Sequence, residues 1–154
     1  MNKWPIYFMN IAKETAKLSK DPITKVGAVL TKDKHVKSIG YNGAPKSFPD
    51  ELIPKDSESD RLIDQKNSYM CHAELNAILN YDGQMADLNG CTLYTTISPC
   101  HNCALMLAQL GVKRVIYLEK YHRSNMTEVT DKIFNLCHIE NIDFKDIDKY
   151  DIIE

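Results

Sequence analysis

Two short motifs limit what this chain can fold into more than any other feature of its sequence. They are His72-Ala73-Glu74 and Pro99-Cys100-His101-Asn102-Cys103, and each falls where a loop or strand gives way to a helix. Cysteines spaced as Cys100 and Cys103 at a helix start are nearly one turn apart, so both sulfurs reach one metal. The helix N-terminus also favours thiolate over thiol. His72, at the start of another helix, supplies a nitrogen. Two thiolates and one imidazole leave a tetrahedral Zn²⁺ with one open position, the arrangement of a catalytic site. The thiolates formally neutralise the dication, so a nearby base must help take a proton from water. Glu74, two residues after His72, is placed to do so without ligating the metal. A closed structural site needs a fourth ligand. Cys71 and His101 are the candidates, and adjacency to a ligand points both elsewhere, into packing or loop positions.

The rest of the chain supplies the frame for these motifs. Apolar residues at helical spacing run from Pro5 to about Ser19 and stop at Asp21-Pro22. Val26–Leu30 and Val36–Tyr41 read as strands joined by a hairpin turn across Thr31–His35. Residues 42–69 form a long polar stretch with three prolines (Pro45, Pro49, Pro54), a length that marks a functional or mobile loop. Helical patterns follow over Cys71–Asn80, with Leu75, Ile78 and Leu79 on one side, over Cys100–Leu110 with Gly111 as the stop, and over Met126–His138. Strands are expected at Cys91–Thr96, Val115–Leu118 and Ile142–Phe144. Residues 145–154 give no clear pattern. After the hairpin, strand and helix alternate, which predicts one α/β domain over residues 1–154 with helices covering one sheet. Cys91 and Cys137 sit in apolar patterns and are expected in the core. Trp4 is expected to cover the first helix or a subunit contact.

Charge and cysteine usage bound the partners and the compartment. A net charge of −2, with basic residues spread along the chain, gives no extended basic face for a long nucleic acid. No apolar run approaches a membrane span. The first twenty residues lack the apolar core of a signal peptide. An odd count of 5 cysteines argues for reduced thiols. The expectation is a cytoplasmic protein, or one of a host cytoplasm if the source is viral.

Each motif alone is weak, since redox motifs and zinc knuckles share Cys-x-x-Cys. Together, in this order and with a strand between two helix starts, they match the H-x-E and P-C-x-x-C signature of zinc deaminases. The resemblance extends further. Val26-Gly27-Ala28, Gly40-Tyr41-Asn42-Gly43-Ala44-Pro45, Cys71-His72-Ala73-Glu74-Leu75-Asn76-Ala77-Ile78, Pro99-Cys100-x-x-Cys103 and Lys120-Tyr121-His122 occur in the order seen in dCMP deaminases of the cytidine deaminase superfamily. The chain resembles that family over about residues 5–140. The resemblance implies an α/β/α fold with a central five-stranded mixed sheet flanked by helices, a zinc ion, and a homo-oligomer, often a hexamer. It implies conversion of dCMP to dUMP and ammonia, which supplies dUMP for thymidylate synthesis. Glu74 would serve as the proton carrier, with His72, Cys100 and Cys103 as metal ligands.

Substrate contacts are less defined. Asn42 lies in a glycine-flanked turn and either hydrogen-bonds a sugar or base, or satisfies its own turn. By resemblance Tyr121 lies near the substrate; from the residues alone it is equally a core aromatic. A 5′-phosphate needs a cation or a helix N-terminus, and Lys20, Lys25 and Arg123 are candidates. Family members that respond to dCTP and dTTP often carry glycine where Ser47 stands, which weakens the case for these effectors here. Some relatives carry a second zinc site, but residues 42–69 contain no Cys or His, so one zinc per chain is expected. The alternatives are a deaminase of dCTP or another base, including adenosine in tRNA, and a non-catalytic zinc-binding module.

Overall fold

The computed structural model describes residues 2–121 and 125–153. In chain order the main elements are α1 (Lys3–Ala16), β1 (Gly27–Lys32), β2 (His35–Tyr41), α2 (Ala73–Leu79), β3 (Thr92–Ile97), α3 (His101–Leu110), β4 (Arg114–Glu119), α4 (Thr127–Leu136) and β5 (Glu140–Asp143). Five strands form one mixed sheet in the order β2-β1-β3-β4-β5. β1 runs antiparallel to both β2 and β3, whereas β3, β4 and β5 are mutually parallel. This is the five-stranded mixed sheet that the family resemblance implies, and the parallel half follows from the helices α3 and α4 that cross between its strands.

The two faces of the sheet are separated by strand alternation. Ala28, Leu30, Leu93 and Val115 point into a core shared with α2, α3 and α4. Val29, Tyr94 and Ile116 point the other way, onto Phe8, Met9 and Ala12 of α1. Covering both faces accounts for the nearly unbroken burial of β1, β3 and β4. The C-terminal residues that gave no pattern close the α1 face. Ile152 is 2% exposed there, and the Asn2 side chain, which caps α1, donates to its carbonyl at 2.6 Å.

Two glycines set how closely the helices approach the hairpin. A Cβ on Gly27 would lie 2.0 Å from the Ala12 carbonyl oxygen of α1. A Cβ on Gly40 would lie 2.2 Å from the Ala77 nitrogen and 2.3 Å from the Ala73 oxygen of α2. The hairpin turn itself is two residues, Asp33 and Lys34, with φ of 53° and 63°. Trp4 stacks on Phe8 with ring centroids 5.6 Å apart and so covers α1, as expected.

Two packing expectations are corrected. The buried side of α2 is Ala73, Glu74, Ala77 and Ile78, while Leu79 is 69% exposed and Leu75 half-buried. The close approach at Gly40 turns the small alanines, not the leucines, toward the sheet. Cys91 is buried as expected, but Cys137 is exposed. It caps α4, where His138 at φ 57° reverses the chain. Ile139 then takes the core position, its N–H bonded to the Phe134 carbonyl at 2.8 Å.

Candidate metal centre and nucleotide cleft

The site lies at one edge of the sheet, where β2, β3 and β4 end and β1 begins, and where α2 and α3 start. Three local features bring it together. First, Cys100 caps α3 with extended backbone, and its carbonyl accepts from Ala104 at 2.9 Å, so Cys103 falls in the first turn. Second, His72 caps α2 in the same way, its carbonyl accepting from Asn76 at 3.0 Å. Third, α2 is fastened to β2: Asn76 and Asn80, one turn apart, donate to the carbonyls of Tyr41 and Ile39 at 2.8 and 3.0 Å. A backbone bridge between Gly43 and Cys71 closes the base of the long loop immediately before His72.

His72, Cys100 and Cys103 form a cluster with all potential ligand atoms within 4.8 Å of one another. The His72 Nδ1 lies 3.4 Å from the Cys100 Sγ and 3.5 Å from the Cys103 Sγ. Zinc bond lengths of about 2.05 Å to nitrogen and 2.3 Å to sulfur, at a tetrahedral angle, put such atoms about 3.6 Å apart. The distances from the imidazole to the two sulfurs therefore fit a shared zinc ion. Among the described residues neither Cys71 nor His101 joins this cluster, so the three donors leave a fourth position open.

The titratable groups of the cluster act strongly on one another. Hydrogen bonds from Cys103 and from His72, against the opposing effect of burial, hold the Cys100 thiol down at about 4. The same sharing with Cys100, together with burial, pushes the Cys103 thiol up. Hydrogen bonding to Cys100 raises His72. The neighbouring Glu74 is only 4% exposed, and burial pushes its carboxyl up to about 7. A carboxyl near neutrality takes and returns protons at comparable cost, which suits a general acid–base group.

The cluster opens into a cleft of about 350 Å³, within the range of small-molecule sites. His72, Glu74, Asn42 and Tyr121 all line it, joined by Asp21, Asn67, Ser98 and Lys120 among others. Asn42 is held not by its own turn but by the segment before β1: its Oδ1 accepts from Val26 N–H at 2.8 Å and its Nδ2 donates to Thr24 O at 2.8 Å. It nevertheless faces the cleft. Tyr121 is set by its N–H bond to the Ser98 hydroxyl at 2.7 Å. Lys20 and Lys25 do not line the cleft; Lys20 pairs with Asp50 at the surface and Lys25 is exposed. Arg123 lies outside the described residues. Among the described residues the lysine that does line the cleft is Lys120, which also reaches Asp131 at 3.1 Å. Sequence reasoning missed it, although it begins the Lys-Tyr-His stretch. It also missed Asp21 and Lys66, a pair joined across 45 residues with no local signal.

Comparison with known proteins agrees with this geometry. Residues 2–119 match the family described as the cytidine and deoxycytidylate deaminase zinc-binding region. The deoxycytidylate deaminase of Mus musculus is 40% identical over 139 residues, covering 89% of this chain and 77% of its own. That of Mycobacterium phage D29 is 39% identical over 123 residues, covering 74% and 93%. The crystal structure of the dCMP deaminase from cyanophage S-TIM5, in complex with dCMP and dUMP, superposes with a TM-score of 0.73 at 26% identity, over 94% of this chain and 98% of that one. Motifs, fold and metal-ligand geometry converge with these matches: the chain belongs to the zinc-binding cytidine and deoxycytidylate deaminase family.

Proposed function

We propose that this protein hydrolyses dCMP to dUMP and ammonia. The observation that carries the reading is a three-donor zinc site with an open position, beside a buried carboxyl of raised pKa, at the floor of a nucleotide-sized cleft. The relatives named for deoxycytidylate support the choice of substrate.

His72, Cys100 and Cys103 hold the zinc, which supplies Lewis-acid activation of water. Glu74 takes a proton from the attacking water and delivers it to N3 of the cytosine ring while oxygen bonds to C4. The second water proton passes through Glu74 to the exocyclic amine, the C4–N bond breaks, and ammonia leaves. Burial of Glu74 disfavours its charged form, so the carboxylate takes the water proton more readily than a solvated carboxylate would. Asn42 and Tyr121 line the substrate cleft, and Lys120, which lines it too, is the described cation placed to meet a phosphate there.

The reading extends to a single deaminase domain with one zinc per chain, assembled as a homo-oligomer, a hexamer by family resemblance, in the cytoplasm. No helix among the described residues is long and apolar enough to cross a membrane. Ser47, exposed in a turn of the long loop, occupies the glycine position of dCTP- and dTTP-responsive relatives. Ammonia release from dCMP, dCTP, deoxycytidine and CMP, each with and without dCTP or dTTP, tests these points together. Turnover of dCMP above the other three is expected. Preference for dCTP, or silence on all four with zinc bound, overturns the substrate assignment.

A further inference from the structure

Lys66 stands apart from the other lysines of this chain. It is 3% exposed, and its Nζ lies 2.7 Å from both carboxylate oxygens of Asp21. Both side chains of the pair are almost wholly buried, at 4% and 2% exposure. Two charges taken out of water need well-placed partners, and each of these has the other. The pair bears on the cleft. Asp21 lines it and accepts the N–H groups of Ile23 and Thr24 at 2.8 and 3.1 Å. Its other oxygen lies 3.4 Å from the Asn42 amide. Lys66 is followed by Asn67, which lines the same cleft from the long loop. One buried ion pair thus ties together wall residues from the α1–β1 segment, the end of β2 and the loop.

We propose that Lys66, through Asp21, is a positioning residue that fastens the loop over residues 43–71 to the Asp21, Thr24, Asn42 and Asn67 wall of the cleft and so sets nucleotide affinity. The zinc ligands do not depend on this fastening. His72 is held by the Gly43–Cys71 backbone bridge and by the anchoring of α2 on β2, and Cys100 and Cys103 by α3. The chemical step is therefore spared when the pair is broken, and the loss falls on binding.

The inference rests on the proposed dCMP reaction for its kinetic test, so a second readout needs no substrate. Lys66→Met is prepared alongside Lys66→Gln, which keeps one donor for Asp21 and serves in its place if the methionine variant does not fold. Zinc content is measured for each. The expected result is a KM for dCMP raised at least tenfold in Lys66→Met and less in Lys66→Gln, with kcat within threefold of wild type and zinc retained. Amide exchange at Ile23 and Thr24 is expected to accelerate at least tenfold, with Val29 and Tyr94 of the central strands unchanged. A lowered melting temperature with unchanged KM overturns the proposal, as does a loss confined to kcat. If the wild-type protein does not turn over dCMP, the functional reading fails on its own. The exchange measurement then decides this one, and unchanged exchange at Ile23 and Thr24 overturns it.

Discussion

Gly40→Ala tests whether α2 must lie directly on β2 for the site to work. The added Cβ would meet the Ala77 nitrogen at 2.2 Å and the Ala73 oxygen at 2.3 Å, both backbone atoms that no rotamer change can move aside. Restoring an ordinary contact of 3.4 Å shifts the α2 backbone by about 1.2 Å in a close-packed interior. That shift carries His72 and Glu74 with it, while Cys100 and Cys103 stay on α3. Overpacking of this kind costs about 1–3 kcal/mol of stability. A misplacement of about 1 Å at a reacting group costs on the order of 100-fold in rate. Gly27→Ala is the matched control, because its Cβ meets the α1 backbone at 2.0 Å on the other face of the sheet, and α1 carries no ligand and no acid–base group. Chemical denaturation and steady-state ammonia release on both variants provide the assay. Both are expected to lose similar stability, and Gly40→Ala alone to lose about 100-fold in kcat. Equal losses of kcat in the two variants, or a folded Gly40→Ala enzyme at wild-type rate, would refute the reasoning.

Three further outcomes are expected. Glu74→Gln keeps zinc, since Glu74 is not a ligand, but loses about 10²–10⁴-fold in kcat; retained turnover removes Glu74 from proton transfer. Cys103→Ser takes a buried donor from the cluster, so metal analysis after dialysis is expected to find far less than one zinc per chain; stoichiometric zinc in that variant would count against the three-donor site. Burial pushes the Asp21 carboxyl up, but hydrogen bonds from Lys66 and from the Ile23 and Thr24 amides outweigh it and hold the group below its ordinary value of 3.8. Its contribution to stability is thus fully present above about pH 4 and is lost as the pH falls through the depressed value. The stability gap between wild type and Asp21→Asn, measured by denaturant titration, is expected at pH 7 and to narrow below pH 4, whereas a gap independent of pH would exclude the ionised carboxylate as its source.

How much of this was legible in the sequence depends on whether the signal was local. The hairpin, the alternation of strand and helix, and the helix stop at Gly111 rest on periodicity and turn chemistry within a few residues, and the observed elements follow them with small shifts at their ends. The metal motif is local too: two helix starts, each carrying donors at fixed spacing. The packing errors arose where tertiary contact outranked pattern. Leu79 looked like core because it is apolar, yet Gly40 draws the alanine side of α2 onto the sheet. Cys137 looked buried until His138 turned the chain and gave the position to Ile139.

The composition and order of residues therefore determined the chemistry available to this protein: two thiols, one imidazole and one carboxyl at helix starts, on an alternating α/β frame. Only the tertiary structure decided which other groups face that chemistry. Lys20, Lys25 and Lys66 cannot be told apart by residue type, because a lysine in a polar segment is ordinarily solvated. Folding leaves the first two at the surface and buries the third against Asp21. That distinction is set by contacts between residues far apart in the chain, which no local pattern encodes, and it separates a solvated charge from one that shapes the cleft.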